Sequence, residues 1–254
     1  MKIALCQFDM VWEDKEANKE KISALIESRA DKSSLDWLVF PEMALSGFSM
    51  DLKKTTLSQK DMLFFSDLAR KYGTAVSFGA VEDGYNKLIT LDKGGNLISS
   101  YSKIHLYAFG GEDKIYKTGE TPQNFNLGGM SVFPAVCFDL RFPYLFWNSA
   151  AQTDVYVVVA SWPARRSGHW QTLLRARAVE NQCYAVGVNR TGKDPLLEYS
   201  GNSVIYDPLG KTVLDCGEAE GVHTAQTPVD KELVTRTRTR FPFIGERKPS
   251  AQFV

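Results

Sequence analysis

Short apolar runs recur along the chain, separated by segments in which polar and apolar positions follow a helical period. The runs at residues 3–8, 37–40, 74–81, 132–137, 154–160 and 184–189 are rich in Val, Ala and aromatic side chains. They lack polar alternation, which predicts strands buried on both faces. Helices are predicted between them. Residues 14–30 carry Ile22, Leu25 and Ile26 at helical spacing. At residue 58 the start signal is fuller: Ser58 can cap, Asp61 occupies the capping-box position, and Leu57 with Met62 can form a hydrophobic staple. That helix continues through Phe65, Leu68 and Ala69 and should stop at Gly73. A third helix should open at Pro143, and a fourth near Ser167, carrying Trp170, Leu173, Leu174 and Ala178. Between the second and third, Asp83-Gly84, residues 92–96 and Gly110-Gly111 read as hairpin and loop punctuation. The pattern is that of an α/β chain with helices outside buried sheet.

Composition narrows the functional classes. The 254 residues contain 30 Lys+Arg and 30 Asp+Glu, so the formal charge is zero and no global positive field favours nucleic acid or an anionic membrane. The hydrophobic fraction of 44% and charged fraction of 24% are ordinary globular values. No stretch reaches the roughly 18 apolar residues of a membrane-spanning helix. Asp9, Glu13 and Asp14 follow the first apolar run too closely for a signal peptide. The expectation is a cytoplasmic protein. No repeat, low-complexity tract or linker divides it, which predicts one domain over residues 1–254. The four cysteines, Cys6, Cys137, Cys183 and Cys216, lack metal-ligand or disulfide-scaffold spacing and read by default as small buried apolar residues.

Ligands of open α/β folds meet the carboxyl ends of strands, so the polar residues there carry the candidate chemistry. Glu42 follows residues 37–40. Ser161-Trp162-Pro163-Ala164-Arg165-Arg166 follows residues 157–160, and Lys103 lies in the β-like stretch 101–106. Cys137 stands between a buried strand and the helix opening at Pro143, where a tight turn could project its sulfur outward. That context leaves a nucleophile and a plain core cysteine equally open. Glu42 reads as a surface carboxylate or a proton-transfer group. Lys103 reads as a solvated lysine or a fixed charge facing an oxyanion. Trp162 and Phe48 could line the apolar part of a pocket, although aromatic residues at such positions are more often core. Arg141, beside the turn, reads as a structural ion-pair partner, with a similar network formed by Arg175, Arg177 and Glu180.

Together these patches resemble the nitrilase, or carbon–nitrogen hydrolase, superfamily over essentially the whole chain. The resemblance rests on Phe40-Pro41-Glu42-Met43, Ser102-Lys103-Ile104-His105-Leu106, Val136-Cys137-Phe138-Asp139-Leu140-Arg141-Phe142-Pro143 and Arg175-Ala176-Arg177-Ala178-Val179-Glu180-Asn181-Gln182. Within the family, Ser161-Trp162-Pro163-Ala164-Arg165-Arg166-Ser167 looks most like the ω-amidase branch, which hydrolyses 2-oxoglutaramate and related ω-amides. The resemblance implies a four-layer αββα sandwich and a homodimer whose interface the tail (about residues 230–254) crosses. It implies a small-molecule amide substrate, with no cofactor and no metal. It assigns Cys137 as nucleophile, Glu42 as general base and Lys103 with the Phe138 backbone N–H as oxyanion stabilisers. Glu112, in Gly110-Gly111-Glu112-Asp113, is the best match to the family's second glutamate, and by analogy with the branch Arg166, rather than Arg165, would hold the substrate carboxylate.

Other signals point elsewhere. Gly187-Val188-Asn189-Arg190-Thr191-Gly192-Lys193-Asp194 nearly matches a phosphate-binding loop, but Asp194 replaces the metal-binding hydroxyl. A Cys–His hydrolase could use His105, His169 or His223, though no local signature of such a family is present. A superfamily amidase for deaminated glutathione or an aliphatic amide is the nearer alternative, and a non-catalytic binding protein on the same fold the more distant one. Asn189-Arg190-Thr191 is a formal glycosylation sequon. Residues 235–240 alternate Thr and Arg and, as a strand, would align three arginines on one face.

Overall fold

The computed structural model describes residues 1–29, 34–120 and 122–248. Its strands are β1 (Ile3–Gln7), β2 (Trp37–Val39), β3 (Ala75–Glu82), β4 (Tyr85–Leu91), β5 (Leu97–Ser102), β6 (Phe125–Leu127) and β7 (Met130–Val136). They continue as β8 (Val155–Ala160), β9 (Tyr184–Asn189), β10 (Thr191–Lys193), β11 (Glu198–Ser200), β12 (Val204–Tyr206), β13 (Thr212–Asp215) and β14 (Gly221–Thr224). The helices are α1 (Lys15–Glu27), α2 (Leu52–Thr55), α3 (Gln59–Tyr72), α4 (Pro143–Ser149), α5 (Ser167–Asn181) and α6 (Lys231–Arg240). One six-stranded sheet runs β14-β1-β2-β3-β4-β5 and the other β13-β12-β9-β8-β7-β6, with β10 and β11 pairing separately. Each sheet has a parallel centre, β1-β2-β3 in one and β7-β8-β9 in the other, flanked by antiparallel strands.

Strand periodicity explains the layers. In β8, Val155, Val157 and Val159 point into an apolar core shared with Ile3, Leu5, Trp37 and Val39 of the opposite sheet. The alternate residues Tyr156, Val158 and Ala160 pack with Phe146 of α4 and Trp170 and Leu174 of α5. On the far side, Ala4, Cys6 and Leu38 pack with Ile22 and Ile26 of α1 and Phe65 and Leu68 of α3. Helix, sheet, sheet and helix therefore stack in the expected αββα order, and each central strand is buried on both faces. No described helix is long and apolar enough to cross a membrane.

The apolar runs become β1, β2, β3, β7, β8 and β9 with shifts of one or two residues at their ends. α3 closes at Gly73, whose φ of 59° is left-handed, and carries the expected capping box. α1 starts from an Asp14 cap, while Ala30, the end expected for it, lies outside the described residues. Two expectations are corrected. Lys103 lies just past β5 rather than within a strand. Residues 235–240 belong to α6 and not to a strand. There Leu233 and Val234 pack against the inter-sheet core and Thr237 is buried, a helical spacing that overrides the Thr/Arg alternation. Arg238 turns inward and donates to the carbonyls of Ala150, Thr153 and Asn181.

Asp61 shows how a cap ties two helices together. It accepts from the Ser58 N–H at 2.8 Å and pairs with Lys15 at 3.0 Å and Lys19 at 2.6 Å, both on α1. Burial alone would raise its pKa, but the Lys19, Ser58 and Lys15 donors outweigh that and bring it down to about 2. A depressed carboxyl stabilises the fold fully above its unfolded value of 3.8 and loses that contribution as pH falls toward 2. Asp61→Asn should therefore cost about 2 kcal/mol at neutral pH, and the deficit should shrink as the pH drops below about 4. Urea unfolding at stepped pH reads both effects.

Candidate active site

The chain direction brings the candidate groups to one end of the sandwich. Glu42 follows β2 and Cys137 follows β7. Because β3-β4 and β4-β5 are antiparallel, β5 runs with β3 and delivers Lys103 to the same end. Asn86 sits there too, paired with Val81 in the β3-β4 register, and its carbonyl accepts from the Lys103 N–H at 2.8 Å. Close backbone approach sets Glu42: a Cβ on Gly79 of β3 would stand 2.3 Å from the Glu42 Cα, so only glycine allows this contact.

Glu42, Lys103 and Glu112 are all 0% exposed. Lys103 Nζ donates to Glu42 Oε1 at 3.1 Å and to Glu112 Oε1 and Oε2 at 3.0 and 2.8 Å. Asn86 Nδ2 donates to Oε1 of both glutamates, each at 2.8 Å. The Ser161 N–H donates to Glu42 Oε2 at 2.8 Å, and the Tyr107 N–H to Glu112 Oε2 at 2.6 Å. Burial alone would favour the neutral amine of Lys103, but Glu112 and Glu42 outweigh it and hold the ammonium charged.

Cys137 has a φ of +46°, a left-handed turn costly for a residue with a side chain. It opens the tight helical turn Cys137–Arg141 between β7 and Pro143. Burial pushes its thiol well above the ordinary value, Glu42 adds to the rise, and Lys103 opposes it. The thiol is therefore protonated at neutral pH and needs a base before it can attack. Asp139, fully buried, fastens the turn. Its Oδ2 accepts from Tyr101 OH at 2.8 Å and the Val136 N–H at 3.0 Å, and its Oδ1 accepts from the His105 N–H at 3.0 Å.

A cavity of about 160 Å³ opens over these groups. Phe48, Lys103, Cys137, Phe138, Trp162 and Arg166 line it, as expected, and so do Tyr107, Arg141, Ser161, Pro163 and Leu197. Arg166 reaches the cavity, while Arg165 is exposed. Glu112 joins the cluster through its hydrogen bonds from Lys103. The histidines are engaged elsewhere: His105 Nδ1 lies 2.8 Å from Asp139 with its ring stacked on Phe142, His169 Nδ1 faces Arg141, and His223 Nε2 faces the Ala219 carbonyl. The near-match to a phosphate loop spans the end of β9 and the whole of β10, and strand β11, not a helix, follows it. Arg177 pairs with Glu180 at 2.8 Å, whereas Arg175 donates to the Gly210 carbonyl. A larger groove of about 510 Å³ follows the edge of β5, but the reactive groups converge on the smaller cavity.

Asn86, Tyr107 and Ser161 are the contributors that sequence reading missed. Asn86 had one available signal: a polar side chain at the second position of the strand that follows the Asp83-Gly84 turn.

Fold and site together are those of a sandwich hydrolase with a thiol beside paired carboxylates. The chain belongs to the carbon-nitrogen hydrolase family, whose sequence model it matches over residues 2–239. It is 35% identical to the omega-amidase YafV of Yersinia enterocolitica, over 95% of this chain and 94% of that one. It is 30% identical to the 2-oxoglutaramate amidase of Bacillus subtilis strain 168, over 92% and 93%. Among solved structures it resembles XC1258 from Xanthomonas campestris, a CN-hydrolase superfamily protein with an arsenic adduct in its active site, at TM-score 0.90 and 32% identity, covering 98% of this chain and 97% of that one.

Asn86→Ala removes a donor shared by two buried carboxylates. It should lower stability by about 2–3 kcal/mol, read from the midpoint of urea unfolding.

Proposed function

We propose that the protein hydrolyses the ω-amide of dicarboxylic acid monoamides, such as 2-oxoglutaramate and oxosuccinamate, to the acid and ammonia. The observation that carries this reading is a cavity lined by Lys103, Cys137 and Arg166, with Glu42 paired to Lys103 at 3.1 Å. The amidase relatives, named for ω-amides and 2-oxoglutaramate, support it.

Glu42 takes the thiol proton of Cys137, and the thiolate attacks the amide carbon. Charge develops on the carbonyl oxygen, facing the Lys103 ammonium and the Phe138 backbone N–H. Collapse breaks the carbon–nitrogen bond, Glu42 returns the proton to the leaving nitrogen, and ammonia departs from a thioester. Glu42 then deprotonates a water that attacks the thioester carbon. The acid leaves, and the proton returns to the Cys137 sulfur. Glu112 holds Lys103 in place and charged. Arg166 takes the far carboxylate of the substrate, and Trp162 and Phe48 pack against its carbon chain. No cofactor or metal enters this sequence of steps.

The working setting we assign is the cytoplasm, as a homodimer. The support for the dimer is a set of exposed aromatic residues, Trp147 on α4 and Phe241 and Phe243 beyond α6, near the expected tail interface. The end of that tail, residues 249–254, lies outside the described residues.

Cys137→Ala should abolish ammonia release while thermal unfolding remains cooperative. An active, folded alanine variant would sink the mechanism. On a panel of ω-amides, deaminated glutathione, free glutamine, an aliphatic amide and a nitrile, the dicarboxylate ω-amides should be turned over best. Preference for deaminated glutathione or the aliphatic amide would replace this reading by the corresponding amidase. Arg166→Ala should reduce kcat/KM for 2-oxoglutaramate about 10- to 100-fold and that for the aliphatic amide far less. Equal losses would remove Arg166 as the carboxylate selector.

A further inference from the structure

Sequence reading places Arg141 in a structural ion pair, and the structure places it in the cavity instead. Its guanidinium lies over the Trp162 ring, 4.8 Å from the centroid, and Nη2 donates to His169 Nδ1 at 3.3 Å. Arg166 stands close by, over the Tyr107 ring at 5.7 Å, with Nη2 donating to Tyr107 OH at 3.4 Å. The buried Arg177 and Arg190 pair with the acids Glu180 and Asp9, and Arg175 and the inward-turned Arg238 donate to backbone carbonyls, whereas Arg141 and Arg166 face the cavity. Among the described residues no carboxylate pairs with Arg141 or Arg166. The nearest acid in sequence, Asp139, is occupied by Val136, Tyr101 and His105. Burial and the neighbouring Arg166 both weaken the hold of Arg141 on its proton, the signature of two cations with no anion between them. Ser161 Oγ, on the same wall, is buried without a hydrogen-bond partner.

Two unpaired guanidiniums in a partly apolar cavity form an incomplete charge arrangement that an incoming anion completes. We infer that Arg141 and Arg166 together form a two-guanidinium subsite for the substrate carboxylate, with Arg141 a second specificity-determining residue. The inference rests on the reading of the substrate as a carboxylate-bearing amide. A planar fork from Arg141 can take one carboxylate face while Arg166 takes the other, and the Trp162 ring fixes the plane of the Arg141 fork. Lysine at position 141 could not reproduce that geometry.

The test is direct binding of glutarate and 2-oxoglutarate, measured by calorimetry on the full chain, beside turnover of 2-oxoglutaramate and neutral valeramide. Arg141→Gln should weaken carboxylate binding by about 10- to 100-fold. Arg141→Lys should recover only part of the loss. For 2-oxoglutaramate the defect should fall mainly on KM, with a much smaller loss on valeramide. Wild-type affinity for glutarate in Arg141→Gln, or no carboxylate binding by the wild type, would overturn the subsite. Equal losses on both amides would also overturn it, since that pattern belongs to a residue that merely supports the Cys137 turn. Failure of the wild type to release ammonia from any carboxylate-bearing ω-amide would instead sink the broader reading of function.

Discussion

Everything at this end of the molecule depends on keeping one ammonium and two carboxylates out of water together. Moving a single ion into such surroundings costs several kcal/mol even after relaxation. Glu42, Lys103 and Glu112 offset that cost only because their oxygens and protons are matched by Lys103 itself, by the Asn86 amide and by the N–H groups of Tyr107 and Ser161. Those partners come from both sheets: Asn86 is the second residue of β4, Ser161 follows β8, and Tyr107 lies in the loop beyond β5. The sandwich therefore has to bring the two sheets into one register at their carboxyl ends. Gly79 is a visible consequence, since the β3 backbone approaches Glu42 too closely for any side chain.

The thiol imposes a second constraint, of opposite character. The carboxylate–lysine group is stabilised by complete satisfaction, whereas the Cys137 turn holds a left-handed backbone that costs about 1–3 kcal/mol. Asp139 accepts from the Val136 N–H on one side of Cys137 and from Tyr101 and His105 across the turn, which clamps the strained residue between rigid elements. His105 consequently belongs to the scaffold of the turn, which leaves Glu42 for the acid–base work we propose. A rigid clamp and a protonated resting thiol go together, because a sulfur held in place can wait for a neighbouring base.

The central strands were legible because burial on both faces leaves a continuous apolar run, and β1, β2, β3, β7, β8 and β9 all carry one. The strands β10 to β14 were not, since each is only three or four residues long, too short for a period to show. The reactive trio was legible because each member follows or adjoins such a run. Asn86, Ser161 and Arg141 escaped for a common reason: what they do depends on side chains from other strands, which local spacing does not encode. In α6, the Thr/Arg alternation suggested a strand where Leu233, Val234 and Thr237 marked a helix, a case of one period masking another.

Electrical polarity also orients whatever enters the cavity. The buried end carries the carboxyl groups of Glu42 and Glu112 around one ammonium, and the cavity wall carries Arg141 and Arg166 with no paired acid among the described residues. A molecule bearing a carboxylate at one end and a neutral amide at the other is repelled in one orientation and attracted in the other. On the proposed reading, the same gradient presents the uncharged amide, rather than the acid, to Cys137. A chain whose 30 basic and 30 acidic residues cancel in total thus still carries a local charge gradient, which on the proposed reading orients the substrate.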